Sequence, residues 1–270
     1  MRQVVSSEPF SHSLKTVIKP ARMAVLALGL GVQDVKDTYQ RSILGPLWNT
    51  VGMAIQVLAI GFVFGFLFGA DLTTYFPFLA VSFVLWNLII STVTEASGAY
   101  VAAERFIRQI EMPFFFPLLR LVSKSLMGYL HNFAIVVVIL FVYRADWSAG
   151  VLWVVAGLAL VVGNLYWVVT LVALGGARFR DLGPIVASIM TVSFYVTPII
   201  WMPSSLPPEL ADVLLPYNPF FHLMEIVRGP LLGYSPDPQS WIVAVILMAV
   251  GNAIAWLVVR RYWWRVVYWL

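Results

Sequence analysis

The chain has 270 residues, of which 61% are hydrophobic and only 11% charged, where a soluble domain carries about 25% charged residues. That balance excludes a soluble enzyme or binding module and reads as an integral membrane protein. The lack of cysteine removes disulfides and thiolate metal sites, and the net charge of +4 is small, so no nucleic-acid partner is expected.

Residues 1–20 are polar, with His12, Lys15 and Lys19, and lack the apolar core of a cleavable leader. From 21 to 40 a helical pattern emerges. Leu28, Val32, Val35 and Tyr39 share one face, with Gln33, Asp34, Lys36, Asp37 and Gln40 opposite. The apolar run is too short to span a bilayer, so an interfacial amphipathic helix is expected. Residues 1–45 therefore read as a cytoplasmic N-terminal segment and 46–270 as a transmembrane domain.

No charged side chain occurs between Arg41 and Asp71. Pro46 suits a first helical turn, where its missing N–H costs nothing. Tyr39 and Trp48 suit the lipid–water boundary, and Arg41 can snorkel to headgroups. The spacing predicts spans at 47–70, 75–98, 118–143, 151–174, 183–202 and 240–259, each close to the ~20 residues a membrane helix needs. Pro198 should kink the fifth of these. Between the fifth and sixth, Pro203, Pro207, Pro208, Pro216, Pro219 and Pro230 punctuate the chain, yet 220–232 keeps apolar helical spacing. Short helices dipping back into the membrane from outside would fit, as would a surface loop with an interfacial helix. The fold class is thus all-α, with six transmembrane helices.

Orientation follows from lysine and arginine. All but Lys124, Arg144 and Arg228 of the 17 cations fall in segments that six spans place on one side with both termini. The positive-inside rule makes that side cytoplasmic.

Polar stretches that could carry function are few. Glu104, Arg105, Phe106, Arg108 and Glu111 lie between the second and third spans, with Glu104 and Arg108 spaced to pair on a helix. Phe106, Ile107 and Ile110 give that segment an apolar edge, suited to a docking partner or to lipid headgroups. Asp181 stands just ahead of the fifth span, where a helix dipole favours an acid. Glu225 and Arg228 can pair at i, i+3 inside an apolar run. Mutual pairing predicts that exchanging the two would keep partial function. Glu95 is an intramembrane acid, best read as snorkelling or dipole-compensated, and Lys124 and His131 sit in the third span without an evident role. No metal site is expected: His12, His131 and His222 lack ligand spacing. No glycine precedes a lysine, so the phosphate-cradling loop of an ATPase is missing.

Four strings share a wider pattern. They are Tyr39 to Trp48, with Arg41, Ser42 and Gly45; Ala177 to Pro184, with Arg178-Phe179-Arg180-Asp181; Phe194 to Trp201; and Asn218-Pro219 followed by the helix ending in Arg228. Their order resembles that in permease subunits of ABC exporters for lipid-linked polysaccharides, the O-antigen, capsule and teichoic-acid type. The resemblance covers about residues 39 to 233.

It implies a homodimeric permease of a bacterial inner membrane, paired with two copies of a nucleotide-binding subunit that holds ATP and Mg. This chain itself would carry no cofactor and catalyse no reaction. The cargo would be a lipid-linked polysaccharide moved outward among membrane lipids. Residues 104–111 would be the coupling helix, Tyr39 to Trp48 a membrane-leading gate motif, and Tyr217, Phe220, Phe221, Glu225 and Arg228 an outer gate. A permease for a drug or small lipid, or a membrane-embedded lipid- or glycan-processing enzyme, are the alternatives. An enzyme should cluster titratable groups at one depth.

Overall fold

The computed structural model describes residues 13–38, 45, 47–109, 113–143, 150–235 and 237–270, and among them every regular element is helical. Helix α1 spans Ser13–Thr38. Among the described residues, five helices are long and apolar enough to cross a membrane. They are α2 (Leu47–Leu67), α3 (Leu72–Ala96), α6 (Phe115–Val142), α7 (Val151–Arg178) and α11 (Pro238–Trp269). Two short helices, α4 (Ala99–Ala102) and α5 (Glu104–Gln109), join α3 to α6.

The fifth expected span behaves differently. Helix α8 (Leu182–Val196) has 15 residues, about 22 Å at 1.5 Å per residue, shorter than the roughly 30 Å of a hydrocarbon core. Pro198 does not kink this helix; the helix stops before it. The residue ahead of a proline is pushed out of the helical region, and Thr197 is extended at φ −90°, ψ 138°. The chain then runs through a 3-10 turn at Pro203–Ser205 and the exposed α9 (Pro208–Leu214) into α10 (Pro219–Leu231). Every residue from His222 to Leu231 is buried, so α10 is a core element and not a surface loop.

Helix α3 is the hub. It packs against α2, α6, α7, α8 and α10, and its Tyr75, Leu79, Leu85 and Ile89 are almost fully buried. The α2–α3 turn is tight because Gly69 adopts φ +59° and Asp71 caps α3, accepting from the Thr73 N–H at 3.0 Å. The Thr73 hydroxyl and N–H hold the Asp71 carboxyl below its ordinary value.

Helix α1 lies along α6. Its buried face is Ala27, Gly31 and Val35, while Leu28 stays 45% exposed beside Val25, Leu26 and Leu30. The inward stripe is therefore turned from the expected Leu28–Val32–Val35–Tyr39 face, because small residues allow close approach. The fixed points are polar: Arg120 donates to both Asp34 oxygens at 2.6 Å, and the Ser123 hydroxyl donates to the Leu28 carbonyl at 2.8 Å.

Helix α11 runs well beyond the expected 240–259, so residues 260–269 are helical turns and not a loose tail. Trp263 of those turns packs on Tyr100 and Phe114, and Arg178 from the end of α7 lies over Trp269. The end of the bundle holding α5, the α7–α8 connection and the last turns of α11 is called the terminal end below.

Close contact also joins α7 to the terminal end of α3. A Cβ on Gly176 would sit 2.0 Å from the Ser97 carbonyl oxygen, a backbone atom that cannot swing aside. Gly176→Val is expected to lower stability by roughly 1–3 kcal/mol through overpacking. Gly29→Ala, on an open helix face with nothing within 4 Å, should be neutral or slightly stabilising. Thermal unfolding in detergent checks both, and equal midpoints for the two variants would contradict this packing.

Candidate functional site

Polar groups in a membrane bundle mark function more sharply than in a soluble core, because each must find a partner or a wet cavity. They gather at three places here.

The first is the junction of α10, α3 and the extended stretch after α8. Arg228 is completely buried. Its guanidinium donates to Glu225 Oε2 from Nε at 3.2 Å and from Nη2 at 2.5 Å. Nη1 donates to the Ser82 hydroxyl at 3.1 Å and to the Pro198 carbonyl at 2.8 Å. The Phe78 ring lies beneath, 4.3 Å from the guanidinium carbon. Stacking and a planar fork of donors are what arginine offers and lysine does not.

The same junction satisfies the backbone freed where α8 ends. Tyr75 donates its hydroxyl to the Ile200 carbonyl. Asn218 donates to Thr197 Oγ1 at 3.0 Å, while its own side-chain oxygen caps α10 by accepting from Phe220 and Phe221 N–H. Non-helical backbone at membrane depth is tolerated when protein groups take up its carbonyls. The Asn-Pro signal at 218–219 thus works twice, as a cap and as a tie to the extended stretch. His222, also buried, bridges Ser240 and the Pro216 carbonyl at 2.9 Å each, fixing the start of α10 to α11.

The second place is a polar cleft along α6. Glu95 near the end of α3 pairs with Lys124 of α6 at 2.8 Å. Asn49, Asn87, Ser91, His131 and Asn132 line a cavity of about 330 Å³ beside that pair. The Asn132 amide oxygen accepts from Asn49 at 3.3 Å and from Thr50 at 3.4 Å. A neighbouring cavity of about 230 Å³, with Gln56, Trp86, Asn87, Thr191 and Phe194 in its wall, opens between α2, α3 and α8. Glu95, Lys124 and His131, isolated oddities in the sequence, are neighbours in space.

The third place is α5 at the terminal end. Glu104 and Arg108 form the expected pair at 2.9 Å, both partly exposed, and Arg105 is exposed beside them. Phe106 is 48% exposed, whereas Ile107 faces inward among Tyr100, Leu118 and Val266. Ile107 therefore belongs to the core and not to the expected apolar edge. Ile110 and Glu111 lie outside the described residues.

Of the other expected site residues, Tyr39, Arg41 and Ser42 also lie outside the described residues. Gly45 has φ +57° and Trp48 is 62% exposed on α2. Tyr217 is exposed, and Phe220 meets Trp86 edge-on at 5.3 Å; both border a cavity of about 340 Å³ with Val192, Val196 and Val213. Phe221 stacks edge-on with His222. Glu225 and Arg228 thus sit in the interior, behind these aromatics. Asp181 occupies the N-cap position of α8 without a side-chain cap bond.

Ser82, Phe78 and the Pro198 carbonyl are the partners that sequence reasoning missed. A serine inside an apolar span, together with an arginine in another, was the available signal.

Residues 30–232 match the family model described as ABC-2 type transporter. Two curated relatives from Klebsiella pneumoniae, both named O-antigen export system permease protein RfbA, are 25% identical over 230 residues, covering 82% of this chain and 87% of their own length. A protein of the same name from Myxococcus xanthus is 25% identical over 237 residues, covering 86% of this chain and 88% of its own.

Proposed function

Since the chain belongs to the ABC-2 type transporter family, we propose that it is the transmembrane subunit of an ATP-driven exporter of a lipid-linked polysaccharide, an O-antigen type polymer in particular. The supporting observation is the likeness to three permeases named for O-antigen export over more than four-fifths of the chain. The polymer moves from the cytoplasm outward across the inner membrane. Two copies of this chain work with two copies of a separate nucleotide-binding subunit, which brings the ATP and Mg. Six helices seldom enclose a path wide enough for a polymer, and a two-fold pair can line one between them.

In this reading the terminal end is cytoplasmic and α5 is the surface the ATPase grips. The sixth crossing is α8 together with the extended 197–201 stretch, and α10 is a re-entrant helix at the outer mouth. Tyr217, Phe220 and Phe221 close that mouth, braced from behind by Glu225 and Arg228. Helix α1 rests at the inner interface with Val25, Leu26, Leu28 and Leu30 toward lipid. Residues 1–45 are its cytoplasmic segment, and Tyr39 to Trp48 lead the chain into the first span. The hydroxyl and amides of exposed Gln56 and Thr191 and of half-buried Asn87, which line one cavity, suit a path for sugar hydroxyls.

Co-expression with the cognate ATPase and glycosyltransferases, in cells lacking an O-antigen permease, tests the function. Surface polymer should appear. Lipid-linked polymer retained inside with and without the chain would overturn the proposal, and export of a drug or small lipid instead would favour a different cargo. Topology is checked separately by single cysteines, which this cysteine-free chain makes clean. A cysteine at position 5 should resist an impermeant reagent in intact cells, and labelling there would refute the cytoplasmic N-terminus.

A further inference from the structure

The exposed side of α11 changes chemistry where the helix leaves the bilayer. Trp241, edge-on to Trp153 at 5.7 Å, marks one boundary. Arg260 and Arg261 stand about 30 Å farther along the helix axis, the thickness of a hydrocarbon core. Up to that point the outward stripe is apolar, with Val250, Ile254 and Leu257 all about half exposed. The same stripe then carries exposed Arg260, Arg261 and Trp264, with half-buried Arg265 beside them.

We propose that this end of α11 binds an anionic phospholipid, its phosphate between Arg261 and Arg265 and its acyl chains along Leu257 and Ile254. The proposal needs only that α11 crosses a membrane, and it stands or falls apart from the polymer reading. A generic interfacial belt would account for the residue types, but three further observations point to a bound anion. Helix α11 contains no acidic residue, and among the described residues none of the three arginines makes an ion pair or a side-chain hydrogen bond. Arg261 and Arg265 are i, i+4 neighbours of like charge, which repel each other unless an anion lies between them. Their surroundings are also ordered for such a ligand. Trp264 donates its indole N–H to the Arg261 carbonyl at 3.1 Å, which fixes its ring in the stripe.

The Arg265 guanidinium lies 4.7 Å from that ring and the Arg260 guanidinium 5.4 Å from Trp256. A guanidinium stacked on a ring by its flat face keeps its N–H edge for phosphate oxygens. The occupant is a lipid because the cationic patch continues the lipid-facing stripe of the same helix. A protein on α11 already has its own side: Trp263 and Val266, which pack with Ile107 of α5, lie on the opposite face. The patch sits within the depth that headgroups occupy, so a lipid reaches it without leaving its leaflet.

The test is native mass spectrometry of the purified full chain titrated with dioleoyl phosphatidylglycerol in detergent. Each arginine near a membrane surface is worth about fivefold in affinity for an anionic lipid. Arg261→Gln should therefore weaken binding about fivefold, and the triple change Arg260→Gln, Arg261→Gln and Arg265→Gln roughly 10²-fold. Arg105→Gln, which removes a cation from the same end but not from α11, should leave binding unchanged. Phosphatidylglycerol should also raise the melting midpoint of the wild type and not of the triple variant. Equal affinity for dioleoyl phosphatidylcholine would overturn the site, as would competition by free glycerol phosphate at the same concentration as the lipid. If the triple variant fails to fold, the single Arg261→Gln protein decides, and undiminished binding there refutes the proposal. Wild-type lipid affinity in a folded triple variant that no longer binds the ATPase subunit would make the stripe a protein-docking surface and remove the lipid site.

Discussion

Arg228→Met is expected to destabilise the protein by roughly 3–5 kcal/mol, because removing one partner of a buried ion pair strands the other charge. The stranded group is Glu225, 9% exposed, and the Pro198 carbonyl and Ser82 hydroxyl lose a donor in the same step. Arg228→Lys should recover little. An ammonium cannot reach Glu225, Ser82 and Pro198 with one planar fork, nor stack on Phe78 in the same way. The double change Glu225→Gln with Arg228→Met should be milder than Arg228→Met alone, since no lone charge remains. Exchanging the two residues should fail, in contrast to the expectation from mutual pairing. A carboxylate at 228 would confront the Pro198 carbonyl, acceptor against acceptor. Thermal unfolding in detergent and polymer export measure all four variants. A wild-type melting midpoint for Arg228→Met would remove Arg228 from its place as the pin of α10.

How much of this was written in the chain can be judged at the same residues. Glu225 and Arg228 could be paired from their spacing alone, since i, i+3 neighbours meet on a helix whatever surrounds it. Ser82 and the Pro198 carbonyl could not, because their approach depends on how α3 and the stretch after α8 pack, across 146 and 30 residues of chain. Lys124 and Glu95 show the same limit: each is conspicuous in its own span, and only the antiparallel packing of α3 on α6 brings them together. Long spans were legible because apolar runs are an additive property of sequence. The fifth was less so, since a run of apolar residues does not distinguish helix from extended backbone whose carbonyls are satisfied by Tyr75 and Arg228. The face of α1 was misjudged for a related reason. Its contact is chosen by the closeness that Gly31 permits, where a Cβ would lie 2.4 Å from the Arg120 carbonyl, and not by side-chain hydrophobicity.

Replacing Phe106 by Ser together with Arg108 by Gln should abolish most export while leaving the melting midpoint nearly unchanged. Neither residue supports the fold strongly. Phe106 is 48% exposed, and the Glu104–Arg108 pair, with side chains 38% and 51% exposed, is a surface ion pair of about 0–1 kcal/mol at most. An aromatic ring and an arginine standing out together are the residue types that dominate protein–protein binding, often at 2 kcal/mol or more each. Losing both should weaken ATPase docking by roughly 10²-fold or more. Ile107→Ser should do the reverse. That side chain is 9% exposed and sits in the cluster with Tyr100, Leu118 and Val266, so its loss should lower the melting midpoint first. The contrast between adjacent positions separates docking from folding. Ile107 packs α5 into the cluster that holds Val266 of the last turns of α11, and the Tyr100–Trp263–Phe114 rings lie in the same cluster. Affinity for the purified ATPase subunit, export and thermal unfolding are measured on each variant. Normal export by the Phe106/Arg108 double variant would place the docking surface elsewhere on the terminal end.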